Sequence, residues 1–237
     1  MSHLPMRSQL SLIALAAFTA CAGWSLSACS STGDALDERE KAKRVQELRK
    51  RADDALARFA QSGEDPKGAD LDSLLRYVEF EGETTKLLPG TCPSCYQRHA
   101  FALARLGLYY RDLSRAFAAE ASKAPPSEKK ALEAKVQTYR KEMLESFASA
   151  SRQFESYFRT AAANSQFVDP EAYRWLFRIY EHLEDYSRAL YYLDLYTSSV
   201  VLTEEGKRNA EELRRAYRSE IRRLEDERLR RELGEGR

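Results

Sequence analysis

The spacing of apolar residues constrains this fold most, because they recur at intervals of three and four through almost the whole chain beyond its N-terminal segment. In the first such stretch the apolar positions are Val45, Leu48, Ala52, Ala55 and Phe59. This spacing gathers apolar side chains on one side of an α-helix and leaves the other side to charged residues. No stretch alternates apolar and polar residues in the manner of a half-buried strand. The sequence therefore predicts an all-α fold.

Turn-forming residues divide this pattern into successive helices. We expect helices at about 34–61, 70–80, 96–122, 127–162, 170–183 and 186–199. Residues 82–93 lack the helical period and contain Pro89-Gly90, which predicts a loop. The short connection at Pro125-Pro126 predicts that the two longest helices pack antiparallel.

A last, strongly charged helix is expected from Thr203 almost to the C-terminus. Its sustained apolar row consists of Leu213, Tyr217, Ile221 and Leu224. A row this thin predicts that one side of the helix touches the domain, while the end from about Arg228 frays.

The first 28 residues have the composition of an export signal. Arg7 is their only charged side chain, and the apolar core runs from Leu10 to Ala22. This run is shorter than the roughly 20 apolar residues of a membrane span and is interrupted by polar residues.

The tetrapeptide Leu26-Ser27-Ala28-Cys29 resembles the lipobox of bacterial lipoproteins. The resemblance implies that Cys29 is acylated and becomes the mature N-terminus, and that Ser30 after it directs the protein to the outer membrane. Phe18-Thr19-Ala20-Cys21 is a second, weaker match. Two alternatives stay open: a secretory signal cut after Ala28, and an uncleaved anchor. We therefore divide the chain into a signal peptide (1–28), a tether (29–33), a helical-repeat-like domain (34–200) and a charged C-terminal helix (201–237).

The charge of the chain is balanced, with 38 basic and 37 acidic side chains. A nucleic-acid-binding protein shows a basic excess or a basic stripe, so this balance argues against that class. It also argues against electrostatic docking to a membrane, which leaves the lipid as the means of attachment.

Residues 170–199 resemble the tetratricopeptide repeat, a pair of short antiparallel helices with small residues where they cross. The matching positions are Ala172, Tyr173, Leu176, Tyr180, Asp185, Tyr186, Ala189, Leu190 and Tyr192. The departures are Phe177 for a small residue and Glu184 for the turn glycine. A partial copy lies upstream, at Ala102, Leu103, Leu106, Gly107 and Tyr110, continued by Ala150, Phe154 and Tyr157. The resemblance implies antiparallel helix hairpins stacked as an α-solenoid; the alternative is a generic helical bundle.

In the repeat family, residues of the first helix that lie off the packing stripe line the concave binding groove. The resemblance places there Phe101, Arg105, Leu108, Arg111, Glu171, Arg174, Trp175, Arg178, Glu181 and His182. We hypothesise that this surface binds a peptide or a partner protein, with Arg174 and Arg178 receiving a carboxylate. The alternative is a solvated charged face without a partner.

Cys92 and Cys95 are the cysteines left once Cys21 and Cys29 are assigned to the signal and the lipid anchor. A local disulfide is the main interpretation, because the compartment is expected to be oxidising. Thiol–disulfide exchange is an alternative. A metal site is another, in which His99 joins the two cysteines and His182 supplies a fourth ligand.

No Ser–His–Asp arrangement and no glycine-rich phosphate loop occurs in the sequence, which argues against an enzyme. We expect a non-catalytic scaffold or assembly factor on the periplasmic face of the outer membrane. Outer-membrane protein insertion, pilus or secretin assembly, motility and cell-wall machinery are the candidate envelope complexes. The expected partners are proteins, with no nucleic acid, small-molecule substrate or cofactor besides the lipid on Cys29. The alternative is a periplasmic enzyme or thiol or metal protein that uses Cys92 and Cys95, with or without His99.

Overall fold

Seven α-helices make up the part of the chain that the computed structural model describes, residues 32–62 and 66–232. They are α1 (Thr32–Gln61), α2 (Leu71–Leu87), α3 (Pro93–Ala121), α4 (Pro126–Ala163), α5 (Pro170–His182), α6 (Tyr186–Ser199) and α7 (Glu204–Glu232). No residue in these two ranges belongs to a β-strand, which confirms the all-α fold class. Among these helices, none combines the length and the apolar character needed to cross a membrane.

Within the described chain, the residues up to Glu40 and those from Lys41 onward belong to separate units. The expected signal peptide (1–28) and the expected lipid-bearing Cys29 lie outside the described residues. Helix α1 begins at Thr32, so the last two residues of the expected tether (29–33) are helical. A difference of this size is common at helix ends.

Prolines and aspartates fix where most of the helices begin. Helices α3, α4 and α5 start at Pro93, Pro126 and Pro170, where the missing N–H has no partner within the helix in any case. The carboxylates of Asp70 and Asp185 cap α2 and α6 by accepting a hydrogen bond from the backbone N–H three residues on.

The prediction of a loop over residues 82–93 is wrong for its first half, because α2 continues to Leu87. Thr84 and Thr85 are buried, and each hydroxyl donates a 2.9 Å hydrogen bond to the carbonyl oxygen four residues earlier. Burial of this face outweighs the weak helix propensity of threonine and glycine. The expected turn at Pro89-Gly90 is present, and Gly90 has a φ of 70°, a conformation that favours glycine.

Helices α1 and α3 run side by side in the same direction. Near the start of α3, Arg98 forms an ion pair of 2.7 Å with Asp53 of α1. Further along both helices, the rings of Phe59 and Tyr109 lie 6.0 Å apart between centroids. Residue numbers therefore rise together along the two helices.

Helices α3 and α5 are parallel as well. The amide of Gln97 donates a 2.8 Å hydrogen bond to Asp169, which precedes α5. Four residues on in α3, the ring of Phe101 lies 5.7 Å from that of Trp175. Helices α1, α3 and α5 thus form one set with a common direction.

Helix α4 returns antiparallel to α3, as the short connection predicts. Phe117, late in α3, stacks on Tyr139, early in α4, at 5.5 Å between ring centroids. Phe101, early in α3, meets Phe154, late in α4, at 5.3 Å. Between these points the helices approach closely at Gly107, where a Cβ would lie 2.7 Å from the ring of Phe147.

Two apolar clusters form the core. The larger one contains residues of all five helices from α3 to α7. Its largest fully buried side chains are Phe147, Phe154, Leu176, Ile179, Tyr180 and Leu193. The smaller one joins α1, α2 and the middle of α3 through Ala52, Ala55, Leu74, Tyr77 and Leu106. Their composition follows the helical period of the sequence.

Helix α7 packs on α6 along a narrow line. Tyr217 is buried and lies 5.9 Å from the ring of Tyr186, while Arg214 donates hydrogen bonds to Asp194 and Thr197 of α6. Helix α7 extends to Glu232, four residues beyond Arg228, from which the end is expected to fray. Ion pairs along its exposed side support this last part of the helix.

Candidate functional site

The residues expected to line a groove lie in two rows on α3 and α5, the neighbouring parallel helices. The α3 row contains Phe101, Arg105, Leu108 and Arg111; the α5 row contains Glu171, Arg174, Trp175, Arg178, Glu181 and His182. The contact between Phe101 and Trp175 joins one end of the two rows. None of the ten side chains is fully buried. We call this surface the α3–α5 face.

The aromatic part of the α3–α5 face is anchored in the core. Phe101 and Trp175 are both half-buried, and Phe101 packs edge to face against the buried Phe154. Both rings therefore present only part of their surface to solvent, because the rest of each ring packs against the protein. A partly exposed indole beside charged residues is typical of protein interfaces.

The cationic part of the face contains three arginines that already have a carboxylate. Arg174 pairs with Glu171 at 2.9 Å and Arg178 with Glu181 at 3.0 Å, in both cases three residues apart on α5. Arg111 pairs with its neighbour Asp112 at 2.8 Å. Such pairs on one helix neutralise charge locally but contribute little stability.

Two further arginines leave the face with an excess of positive charge. Arg105 and Arg115 have no carboxylate within ion-pair distance among the described residues, and both are exposed. Arg115 was not predicted as a site residue, although its spacing of four residues from Arg111 places it on the same side of α3.

His182 lies at the end of the α5 row with its ring stacked on Phe147, at 4.9 Å between centroids. Burial lowers the pKa of His182, and Arg111, Arg115 and Arg178 lower it further, against the opposing effect of Glu181. The neighbourhood of Arg111 and His182 joins the second end of the two rows. These effects favour the neutral imidazole, so arginines carry the positive charge of the face.

The cysteine pair lies at the start of α3, before the first of the groove residues in the sequence. Cys92 and Cys95 form a disulfide with 5.3 Å between their Cα atoms, as the sequence predicts. Cys92 is half-buried and directly precedes α3, whereas Cys95 is fully buried.

Arg49 of α1 contacts this disulfide. Its Nη2 atom lies 3.7 Å from the sulfur of Cys92, 3.5 Å from that of Cys95 and 3.5 Å from the hydroxyl of Ser94. Its Nε atom is buried without a hydrogen-bond partner. Arg49 could not be identified from the sequence, because it lies in a charged stretch more than 40 residues before the cysteines.

A buried ion pair lies beside this site. The carboxylate of Glu81 is fully buried and accepts a 2.8 Å hydrogen bond from Arg98, which also contacts Asp53. Burial raises the pKa of Glu81, and Arg98 opposes the shift. Glu81 could not be identified from the sequence, because the helix was expected to end at about Phe80. Only the continuing helix α2 turns Glu81 inward.

The alternative metal site at Cys92, Cys95 and His99 is not assembled. The disulfide leaves no thiolate to bind a metal, and no cluster of three metal-binding side chains occurs within 32–62 and 66–232. His99 instead lies beside Gly82, where a Cβ would be 3.3 Å from its Nε2 atom.

His182, considered as a fourth ligand, stacks on Phe147.

Comparison of the chain with models of protein families, with curated proteins and with solved structures found no match.

Proposed function

We propose that this protein is a non-catalytic scaffold or assembly factor of the bacterial envelope, held at the periplasmic face of the outer membrane by a lipid on Cys29. Its α3–α5 face binds an acidic segment of a partner protein. The observation that carries this proposal is the pair of exposed arginines, Arg105 and Arg115, that lack a carboxylate partner in the described chain.

The common direction of α1, α3 and α5 supports a tetratricopeptide-like stack of hairpins. In such a stack the first helices of successive hairpins lie side by side and line one surface. The small residues expected at helix crossings, Ala172 and Ala189, are fully buried. In the upstream copy Gly107 occupies the small-residue position that Phe177 fills in the later copy, and it allows the close approach to Phe147.

Two features depart from the repeat family and limit the resemblance. Helix α4 has 38 residues, far longer than the short helices of that family. Phe177 is buried where the family has a small residue. We therefore propose a stack of hairpins of the tetratricopeptide type with one enlarged unit.

The side chains of the α3–α5 face determine which kind of peptide can bind there. Arginine guanidinium groups bind carboxylates through paired hydrogen bonds, and Trp175 offers an aromatic edge among them. An acidic peptide segment with an apolar side chain fits both features. Neighbouring acids Glu171 and Glu181 are each held by an arginine, so they do not cancel the excess charge.

A peptide array tests this proposal. The probes are 12-residue peptides with one aromatic residue flanked by Asp and Glu, and counterparts in which every acid is replaced by its amide. We expect the acidic set to bind, and binding to weaken as ionic strength rises. The double variant Arg105→Glu/Arg115→Glu should bind on the order of 10-fold more weakly, because two attractive pairs of about 0.2–1 kcal/mol each become repulsive.

The matched control is Lys130→Glu/Arg215→Glu, which makes the same charge change at exposed cations of α4 and α7. It should bind as the wild type does. Equal binding of acidic and amide peptides, or equal loss in both double variants, would contradict the proposed face.

A further inference from the structure

We propose that the Cys92–Cys95 disulfide is a redox-active pair that exchanges with a protein dithiol. In this site Cys92 is the exchanging sulfur, and Arg49 is the counter-ion of the thiolates. The inference goes beyond the scaffold function and does not depend on it.

The environment of Arg49 suits a negative charge on the cysteine sulfurs. Its guanidinium is half-buried, directed at both sulfurs within 3.7 Å, and has no carboxylate within ion-pair distance among the described residues. A disulfide sulfur is neutral and a weak hydrogen-bond acceptor. A thiolate is a full negative charge, and charge-assisted hydrogen bonds are about twice as strong as neutral ones. The site is thus better matched to the reduced pair than to the disulfide that it holds.

The position of Cys92 in the fold also favours a thiolate. It directly precedes α3, where the free backbone N–H groups at the helix start favour a negative charge and lower the pKa of a thiol. The hydroxyl of Ser94 lies 3.4 Å from its sulfur. The carboxylate that would oppose a thiolate, that of Glu81, is held by Arg98 at 2.8 Å.

Access decides which sulfur is attacked. Cys92 is half-buried, whereas Cys95 has no exposed surface. An incoming thiolate can therefore reach the sulfur of Cys92 alone. Cys95 is the leaving group, and its sulfur lies 3.5 Å from the guanidinium of Arg49.

The exchange proceeds in two displacements. One thiolate of the donor attacks the Cys92 sulfur, a bond forms between them, and the bond to Cys95 breaks with its electron pair on Cys95. The second thiolate of the donor then attacks the donor sulfur of this mixed disulfide and releases Cys92 as a thiolate. Overall, two electrons and two protons pass from the dithiol, which becomes a disulfide, to the cysteine pair.

The test uses the full chain with Cys21 and Cys29 replaced by serine, so that only Cys92 and Cys95 carry thiols. The pKa of Cys92 is measured in the reduced protein from the pH dependence of its alkylation by iodoacetamide. We expect it at least one unit below the ordinary thiol value of about 8.5. Equilibration in glutathione redox buffers, followed by mass spectrometry of alkylated protein, gives the dithiol–disulfide ratio.

Arg49→Met should raise this pKa by about one unit and shift the glutathione equilibrium about tenfold towards the disulfide. Arg51→Met, an exposed cation of the same helix, should change neither quantity. An ordinary Cys92 pKa in the wild type would overturn the proposal without recourse to any variant. Equal effects of the two arginine variants would overturn the role of Arg49.

Discussion

Gly107 shows how one absent side chain sets the distance between the two longest helices. An alanine Cβ at this position would lie 2.7 Å from two ring carbons of Phe147, which is itself buried and stacked on His182. Alanine favours a helix over glycine by about 1 kcal/mol, but overpacking a core costs about 1–3 kcal/mol. The net of these two effects is about 0–2 kcal/mol, so we expect Gly107→Ala to destabilise the protein by up to about 2 kcal/mol in urea unfolding.

The control for this prediction is the double variant Gly107→Ala/Phe147→Leu. Because leucine is smaller than the ring that meets the new methyl group, the double variant should be less destabilised than the sum of its two single changes. Additive effects would mean that the close approach at Gly107 is not what limits packing.

His99 carries the pH dependence expected at the residue scale. Burial, followed by the charge of Lys86, lowers the pKa of His99 to about 4. The folded protein thus favours the neutral imidazole, whose ordinary pKa is about 6.5. Its contribution is complete above pH 6.5 and is lost as the pH falls towards 4, because the unfolded chain takes up the proton first.

We expect the His99 ring protons to titrate near pH 4 in an NMR experiment, with His182→Gln used to assign them. Wild-type protein should also lose on the order of 2 kcal/mol more stability than His99→Gln between pH 7 and 4.5. Glu81 has a raised pKa and acts in the opposite direction, but it is present in both proteins and cancels. A His99 pKa of 6.5 would contradict the buried position of the ring.

At the residue scale, the sequence did not reveal which individual charged side chains turn towards the interior. The cysteine pair and the arginines of α3 and α5 could be named because spacing places them at a helix start or on one helix face. Arg49 and Glu81 could not, since each lies among many charged residues. Only the packing of α1 and α2 on α3 decides which of these charges turns inward.

At the scale of the helix, α7 gives the clearest prediction, because its attachment depends on few side chains. Tyr217 has 2% exposure, and Ala210 is its only other buried residue in the described helix. Tyr217→Ala should cost about 3 kcal/mol in urea unfolding, as for other large buried aromatic residues. Leu229→Ala, at a site with 54% exposure, should cost less than about 0.5 kcal/mol.

Comparable costs for these two variants would contradict the packing of α7 on α6. Hydrogen exchange adds an independent measurement: amides around residue 217 should exchange faster in Tyr217→Ala, while those of α3 stay protected.

Helix type was predictable and helix length was less so. The apolar period and the prolines located six of the seven helices closely, since Pro126 and Pro170 mark helix starts by their covalent structure. The end of α2 was missed because Gly82, Thr84 and Thr85 carry no local helix signal. Their helical conformation comes from burial against α3, which depends on residues distant in sequence.

At the scale of the whole molecule, the expected lipid on Cys29 predicts where the protein resides. Cys29→Ala should still be exported but should appear in the soluble periplasmic fraction rather than with membranes. Several acyl chains anchor firmly where one chain is marginal, at roughly 0.8 kcal/mol for each buried methylene. Cell fractionation with immunoblotting measures the change, and Cys21→Ala is the matched control that should stay with the membranes.

Retention of Cys29→Ala in the membrane fraction would contradict the lipobox assignment. Release of the Cys21→Ala control as well would also contradict the assignment, because Cys29 alone would then not hold the protein at the membrane. The charge balance of the chain, 38 basic against 37 acidic residues, offers no electrostatic means of retention that would confuse the result.

The parallel course of α1, α3 and α5 also sets the length of a peptide segment that can lie across these three helices. Neighbouring helix axes are about 8–10 Å apart, so three of them span roughly 20 Å. An extended chain covers about 3.3 Å per residue, which makes this width equal to about six residues. A segment that lies across the three helices meets α3, the central helix that carries Arg105 and Arg115, only near its middle. The acidic residues of a partner should accordingly be clustered at the centre of its recognition sequence.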